Sequence, residues 1–139
     1  MFFVDANVIV YAASRTRYKR GSATVLDAVA RGASGVTSIL ALEEVWHLER
    51  SGRIPELNGT ARDAHQLFRP TVPVTDKVLD AALDLDLKGL GTADLIHVAT
   101  CHEAGITDIV TADRAFDDAP GIRRVDPLDE LELDRLVAS

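Results

Sequence analysis

The stretch FFVDANVIVYAAS, residues 2–14, places a carboxylate directly after three apolar residues. The apolar residues predict a short buried strand, and the run after Asp5 predicts a helix with Asn7 as its N-cap. A buried strand that ends in a charged side chain needs a compensating group at that end. Asp5 is therefore the first candidate functional residue.

The rest of the chain alternates strands with helices. Further strands are predicted at residues 35–38, 71–75, 108–113 and 122–126. Pro73 indicates that the segment 71–75 is an edge strand or a strand end. Helices are predicted at residues 21–31, 39–51, 60–68, 76–87, 92–104 and 127–137. Strands separated by such helices pair in parallel through right-handed crossovers. We therefore expect an α/β fold: a single three-layer domain over residues 1–139, with a central parallel sheet of four to five strands flanked by helices.

Composition agrees with one globular domain and limits its partners. The 139 residues are 47% hydrophobic and 27% charged, which is typical of a soluble domain. No apolar run approaches the roughly 18 residues of a membrane span. The first strand is too short, and too soon interrupted by Asp5, for a signal peptide, so we expect a cytoplasmic protein. The net charge of -7 repels nucleic acid at long range, so its binding would require a local basic patch or a metal ion.

Four separated acids follow strands or begin helices. Asp5 ends the first strand, and Asp113 follows the strand in IVTADRAF. Glu44 lies in the first turns of the helix after the second strand, and Asp94 lies near the start of another helix. Functional groups of a parallel α/β sheet collect at the carboxyl ends of its strands, so we expect these four acids at one edge of the sheet.

A cluster of four carboxylates requires a cation. Two carboxylates about 4 Å apart repel by on the order of 4 kcal/mol at an effective dielectric constant of about 20. Mg²⁺ and Mn²⁺ prefer oxygen ligands, and Mg²⁺ keeps several waters, which leaves room for a phosphate oxygen. The acids therefore predict a site for Mg²⁺ or Mn²⁺, and this ion would compensate the charge of Asp5.

The segments FFVDANVIVYA, VTSILALEEVW, GTADLIHVAT and IVTADRAF resemble, in order and spacing, the four acidic motifs of the PIN domain. The resemblance covers essentially the whole chain, and it is strongest to the small VapC-type toxins of bacterial toxin-antitoxin modules. It implies a metal-dependent endoribonuclease that hydrolyses RNA with one or two ions and leaves a 5'-phosphate and a 3'-hydroxyl. It also implies an antitoxin that lies across a groove near Trp46, and a homodimer formed through apolar helix positions away from the acids.

The resemblance also implies which residues bind the metal. These are the four acids described above: Asp5, Glu44, Asp94 and Asp113. Glu44 is selected over Glu43 because the family's acid lies six positions after the serine that opens the motif, here Ser38. Adjacent helical residues point about 100 degrees apart, so only one of the two glutamates can face the site.

Four polar residues are further candidates near the acids. By the resemblance, Asn7 and Thr111 orient water or the acids. Asp117 is either an outer acid of the site or a solvated turn residue. His97 lies three positions after Asp94 on one helix face, which is metal-ligand spacing. In a family of oxygen ligands, a structural or supporting role for this histidine is the simpler interpretation.

An acidic protein that binds RNA needs locally concentrated positive charge. The segment SRTRYKRG, residues 14–21, supplies it with Tyr18 as a candidate stacking ring. Its basic residues are Arg15, Arg17, Lys19 and Arg20. The alternative is a solvated loop before a helix. Arg114, beside Asp113, is a further candidate for a phosphate contact.

Two other function classes compete with the nuclease. A catalytically silent PIN-like module for RNA or protein interaction would keep the acids only for folding or partner binding. A phosphatase of the haloacid-dehalogenase type also opens with a strand that ends in Asp, but it needs a second acid two positions later, where this chain has Asn7. The nuclease is therefore the favoured interpretation.

Overall fold

A four-stranded parallel sheet forms the centre of the molecule. The computed structural model describes residues 1–138, and the strands within them are β1 (Phe2–Val4), β2 (Gly35–Val36), β3 (Asp108–Val110) and β4 (Arg123–Val125). Their order across the sheet is β2-β1-β3-β4, and every neighbouring pair is parallel. The predicted α/β fold with a parallel sheet is confirmed.

Seven α-helices flank this sheet within residues 1–138. They are α1 (Ala6–Ala13), α2 (Lys19–Ala30), α3 (Ile39–Ser51), α4 (Thr60–Phe68), α5 (Asp76–Leu83), α6 (Thr92–Ala104) and α7 (Glu130–Ala138). The predictions for α3, α4 and α6 are confirmed with the same bounds. Two short 3-10 helices, Pro55–Leu57 and Arg114–Asp118, were not indicated by the sequence pattern. None of the helices in residues 1–138 has the length and apolar character needed to cross a membrane.

Helix α3 shows why the helix bounds could be predicted. The Ser38 hydroxyl caps its N-terminus and accepts a hydrogen bond from the backbone N–H of Ala41 over 3.3 Å. Gly52 ends it with a φ of 70°, a left-handed conformation that glycine adopts without a steric penalty. The buried residues Leu42 and Val45 face the core, and this orientation places Glu44 at the border of the buried face.

The prediction of a strand at residues 71–75 was wrong. Only Val72 pairs there, through an isolated bridge to Ser38 and a hydrogen bond from its N–H to the Thr37 carbonyl. Pro73 has no N–H to donate, so the pairing ends after one residue. The sheet therefore has four strands, with the segment predicted at 122–126 forming β4.

Several predicted helix ends were also wrong, and α2 spans Lys19–Ala30 instead of residues 21–31. Asp5, not Asn7, caps α1, because its carboxylate accepts the Ala6 N–H. Helix α5 ends at Leu83 instead of Leu87, and Leu85 and Leu87 pack on the core from the segment that follows.

The last helix begins later than predicted, at Glu130 instead of residue 127. Pro127 lacks a backbone N–H, and the Asp126 carboxylate instead accepts the Leu128 N–H in a turn before the helix. The Asp129 carboxylate then accepts the Glu132 N–H over 3.2 Å and caps α7.

Strands β1 and β3 lie side by side at the point where the strand order reverses. The chain proceeds from β1 to β2 on one side and from β3 to β4 on the other. Ligand sites of open α/β sheets lie outside the carboxyl ends of the strands at such a switch point. The residues that follow β1 and β3 here are Asp5 and Thr111, and both are buried.

Candidate metal centre

Asp5 is a buried carboxylate whose orientation is fixed by three donors. It follows β1 directly and is only 4% exposed. Its Oδ1 accepts the Ala6 N–H over 2.8 Å. Its Oδ2 accepts the Thr111 hydroxyl over 2.8 Å and the Asn7 side-chain N–H over 3.2 Å. The end of β1 therefore presents a carboxylate that cannot turn away from the site.

Asn7 and Thr111 connect the ends of the two central strands. The Asn7 amide also donates to the Thr111 hydroxyl over 2.9 Å, and its oxygen accepts the Ala112 N–H over 3.3 Å. The Thr111 oxygen further accepts the Asp113 N–H over 3.1 Å. Asn7 and Thr111 therefore both contact the Asp5 carboxylate, and Thr111 also contacts the Asp113 backbone. Both had been predicted as polar neighbours of the acids.

Glu44 on α3 and His97 on α6 contact each other beside Asp5. The Nε2 atom of His97 lies 2.7 Å from Glu44 Oε1 and 3.8 Å from Asp5 Oδ1. The imidazole is fully buried, and its ring centroid lies 5.4 Å from that of Phe3. One ligand-type atom from each of Asp5, Glu44 and His97 lies within 4.8 Å of the others, so the three form a compact polar group.

All four predicted acids line one cavity. Its volume is about 420 Å³, and it opens at the carboxyl end of the sheet beside Asp5. The polar residues of its lining are Asp5, Asn7, Tyr11, Glu44, Asp94 and Asp113. The residues that the sequence placed at one sheet edge therefore meet around a single space.

Burial and neighbouring charges shift the pKa values of the ionisable groups in this cavity. Burial raises the pKa of Asp5, against the opposing effects of the His97 charge and the Thr111 hydrogen bond. Burial, together with the charge of Asp5, raises the pKa of Asp94 from 3.8 to about 6. Burial alone would lower the pKa of His97, but the Glu44 hydrogen bond and the nearby carboxylates raise it overall. The cavity is thus an environment that attracts positive charge.

The residues of the cavity suit a hard divalent cation. Four carboxylates provide oxygen ligands, and burial raises the pKa values of Asp5 and Asp94, so a bound cation would favour their charged forms. Asp94 accepts no hydrogen bond from another residue in the described part of the chain, so both of its oxygens are available to a ligand. This donor set fits Mg²⁺ or Mn²⁺.

Asp117 lies outside the cavity. Its carboxylate accepts a hydrogen bond from the Arg124 guanidinium over 2.8 Å, and its side chain is half exposed. Arg124 also donates to the Thr111 carbonyl and to Asp126. Within residues 1–138, Asp117 is therefore connected to the site through Arg124, which contacts the Thr111 carbonyl after β3 and was not predicted from the sequence.

The predicted RNA-contacting residues lie on the surface of the protein. Four of them are in the loop after α1 and the first turn of α2, and each is exposed: Arg15, Arg17, Lys19 and Arg20. The Arg20 Nε atom lies 3.9 Å from Glu130 Oε1, and this carboxylate offsets part of the positive charge of Arg20. Arg114 is exposed directly after Asp113.

A stacked pair of tyrosines connects this basic loop with the cavity. The rings of Tyr11 and Tyr18 are 4.7 Å apart and nearly parallel. The Arg17 guanidinium lies 5.0 Å from the Tyr18 ring centroid and donates to its hydroxyl. Tyr11 was not predicted as a site residue, although its position four residues after Asn7 indicates the same face of α1.

The fold and the cavity define an α/β domain with an acidic site at the switch point of a parallel sheet. The chain belongs to the PIN domain family, whose model matches residues 2–122. No curated protein sequence gives a significant match.

Two solved structures share this fold at low sequence identity. The crystal structure of VapBC2 from Rickettsia felis, bound to a DNA fragment from their promoter, is similar with a TM-score of 0.67 and 17% identity, over 90% of this chain and 97% of the other. The crystal structure of PAE2754 from Pyrobaculum aerophilum has a TM-score of 0.61 and 21% identity, over 99% of this chain and 97% of the other.

Proposed function

We propose that this protein is a Mg²⁺- or Mn²⁺-dependent endoribonuclease, and that it is the toxin of a toxin-antitoxin module acting in the cytoplasm. The observation that carries the proposal is the convergence of Asp5, Glu44, Asp94 and Asp113 on one cavity at the sheet's switch point. Family membership supports it, because PIN domains are in general nucleases that use a divalent metal. The VapBC2 structure, a complex with a related fold, supports the toxin-antitoxin context.

The four acids would hold one or two ions. When bound, a divalent ion supplies positive charge that stabilises the phosphate oxygens of the scissile bond as negative charge develops on them. Asp5 is the best-oriented ligand, because the Ala6 N–H, Asn7 and Thr111 hold both of its oxygens. A preoriented ligand loses little conformational freedom when the ion binds.

Water for the hydrolysis needs an oriented acceptor. The Asp94 carboxylate lines the cavity without a hydrogen-bond partner in residues 1–138, whereas Asp113 Oδ1 already accepts the Ala115 N–H over 2.9 Å. Asp94 therefore has an oxygen that can accept a hydrogen bond from the attacking water while its other oxygen contributes to the metal site. Asp113 is the more rigid of the two acids and is better suited to hold an ion.

RNA would be held by the basic loop beside the cavity. The protein carries a net charge of -7, so phosphate binding depends on the local group Arg15, Arg17, Lys19 and Arg20, with Arg114, directly after Asp113, as a further candidate. The Tyr11–Tyr18 stack lies between this loop and the acids. The loop would therefore lie beside an RNA strand that enters the cavity.

Two partner proteins complete the proposal. An antitoxin would occupy the groove of about 680 Å³ between α3 and α4, where Trp46 is 54% exposed, and would place a basic residue among the acids. A second copy of this chain would pack on an apolar face of α5, where Leu79 and Leu83 are 45% and 73% exposed. Light scattering that shows a monomer at micromolar concentration would contradict the homodimer.

Cleavage of labelled single-stranded RNA tests the enzymatic proposal. The parent protein should cleave with added Mg²⁺ or Mn²⁺ and stop when a chelator removes the ion. Asp94→Asn should lose cleavage, and Asp80→Asn, a matched change of an exposed aspartate on α5, should retain it. Absence of cleavage under all metal conditions would instead favour a catalytically silent interaction module, whereas equal cleavage by both variants would show that Asp94 is not part of the cleavage site.

A further inference from the structure

We propose that His97 is a positioning residue: its Nε2–H donates to Glu44 and holds that carboxylate beside Asp5, so that His97 itself is not a metal ligand. The inference rests on the proposed function, because it concerns how the metal-binding acids are arranged. It assigns a role to the one ring nitrogen that lies within hydrogen-bond distance of the acids, at 2.7 Å from Glu44 Oε1.

The surroundings of His97 fix its ring. The residue lies on α6 and is fully buried, and its ring is tilted by 45° against Phe3 of the central strand β1. Turning the ring away from Glu44 would require displacement of this packed neighbour. Packing against Phe3 therefore fixes the direction in which Nε2 points, whether or not a metal ion is bound.

The second ring nitrogen indicates where the hydrogen lies. His97 Nδ1 is buried and has no hydrogen-bond partner within residues 1–138. A metal ligand would need a bare Nε2, and the neutral ring would then carry its hydrogen on Nδ1 as a buried donor without an acceptor. It would also turn a nitrogen lone pair towards the Glu44 oxygen at 2.7 Å. A hydrogen on Nε2 satisfies the carboxylate and leaves Nδ1 as an unpaired acceptor, without a buried unpaired donor and without two lone pairs facing each other.

Glu44 needs such a restraint more than Asp5 does. Its side chain is 32% exposed, and within residues 1–138 its only hydrogen bond is the one from His97. The like charge of Asp5 favours rotation of Glu44 towards solvent. Without the His97 donor, binding of an ion would have to bring back and order this side chain, and the affinity for the ion would fall.

Two substitutions separate positioning from ligation. His97→Gln places an amide N–H near the position of Nε2, whereas His97→Phe keeps a planar ring and removes the donor. We expect His97→Phe to weaken Mn²⁺ binding, measured by calorimetry, by roughly 10- to 100-fold, the usual effect of losing a residue that orients a metal ligand. His97→Gln should recover most of this loss. The ratio of Zn²⁺ to Mn²⁺ affinity should be the same in all three proteins, because oxygen ligands alone set it.

Three other results would contradict the positioning role of His97. Equal loss in both variants, together with a selective loss of Zn²⁺ affinity, would identify His97 as a ligand and overturn the inference. Mn²⁺ binding that depends on Asp5 but is unchanged in His97→Phe would also overturn it, and would leave the proposed function intact. A parent protein that binds neither Mg²⁺ nor Mn²⁺ would overturn the proposed function and this inference together.

A spectroscopic measurement on the unaltered protein covers the case in which a variant fails to fold. The nitrogen-15 spectrum of the His97 ring should show a hydrogen on Nε2 both without metal and with saturating Mg²⁺. Loss of the Nε2 hydrogen on metal addition would contradict the positioning role.

Discussion

The Thr111 hydroxyl donates a hydrogen bond to Asp5 Oδ2 over 2.8 Å, and so joins the ends of two neighbouring strands that are 106 residues apart in sequence. The Thr111 hydroxyl oxygen also accepts hydrogen bonds from the Asn7 amide and from the Asp113 backbone N–H. One small side chain thus connects three of the residues around the cavity.

Replacement of this hydroxyl should affect both stability and metal binding. Thr111→Val removes a hydrogen bond to a charged group, so the free energy of unfolding in chelator should fall by about 1.5 to 3 kcal/mol. Mn²⁺ affinity should fall as well, because Asp5 loses one of the donors that orient it. Thr37→Val is the matched control: Thr37 is also buried, but its hydroxyl donates to the uncharged Val4 carbonyl over 2.8 Å. This control should lose less stability and keep its Mn²⁺ affinity, and the reverse ranking would contradict the role of Thr111.

The raised pKa of Asp94 predicts an inverse dependence of metal-free stability on pH. The carboxyl titrates at about 6 in the folded protein, against its usual value of 3.8, so the folded state binds more protons between these two values. The contribution of Asp94 to stability is therefore greatest below pH 3.8, declines as the pH rises, and is lost above about pH 6. Asp5 contributes in the same direction.

Chemical denaturation in chelator across this pH range measures the effect. Compared with the parent, Asp94→Asn should show a smaller decline in stability between pH 4 and pH 6 and should be at least as stable at pH 7. Asp80→Asn, on the exposed face of α5, should follow the parent. Identical pH profiles for the parent and Asp94→Asn would contradict the electrostatic description of the cavity.

The basic loop should control RNA affinity more than the rate of cleavage. Replacing Arg15 and Lys19 by Gln removes two exposed charges, so KM should rise and the salt dependence of RNA binding should become weaker, with kcat largely retained. Arg31→Gln is the control, because Arg31 is equally exposed but lies at the opposite end of α2. An equal change in KM in the double variant and in Arg31→Gln would indicate that the loop has no specific role.

Trp46 should contribute to binding of the antitoxin and not to the chemistry. Its ring is 54% exposed at the groove between α3 and α4, so Trp46→Ala should weaken association with the antitoxin by at least about tenfold, the effect of losing an aromatic anchor. Leu128→Ala, at a residue 46% exposed outside this groove, should bind like the parent. Titration calorimetry with the purified antitoxin measures both. If Trp46→Ala binds the antitoxin with unchanged affinity, the antitoxin binds at a different surface.

Local signals in the sequence were sufficient for much of the fold. Ser38 and Gly52 mark the ends of α3 by their own conformational preferences, and the parallel topology alone brings the four acids to one sheet edge. The strand predicted around Val72 was wrong because Val72 forms an isolated bridge with Ser38 and Pro73 cannot continue the pairing.

The contacts that define the site are tertiary and have no local signal. Asn7 has the character of an N-cap, but its amide is used between β1 and β3, and Asp5 caps α1 in its place. The contact of His97 with Glu44 joins helices α6 and α3, which are 53 residues apart at this point, and only the packing of both helices on the sheet brings them together. Spacing relative to Asp94 identified His97 as a candidate, but could not show which way its ring points.

The central claim is that the acids form one metal site, and thermal unfolding across a series of Mg²⁺ concentrations tests it most directly. An ion that binds only the folded state stabilises it by about 2.7 kcal/mol at 100 times its dissociation constant, so the Tm of the parent should rise steadily with Mg²⁺. Asp5→Asn and Asp94→Asn should remain folded without metal, and their Tm should rise much less. Equal Mg²⁺-dependent shifts in the parent and both variants would contradict the claim.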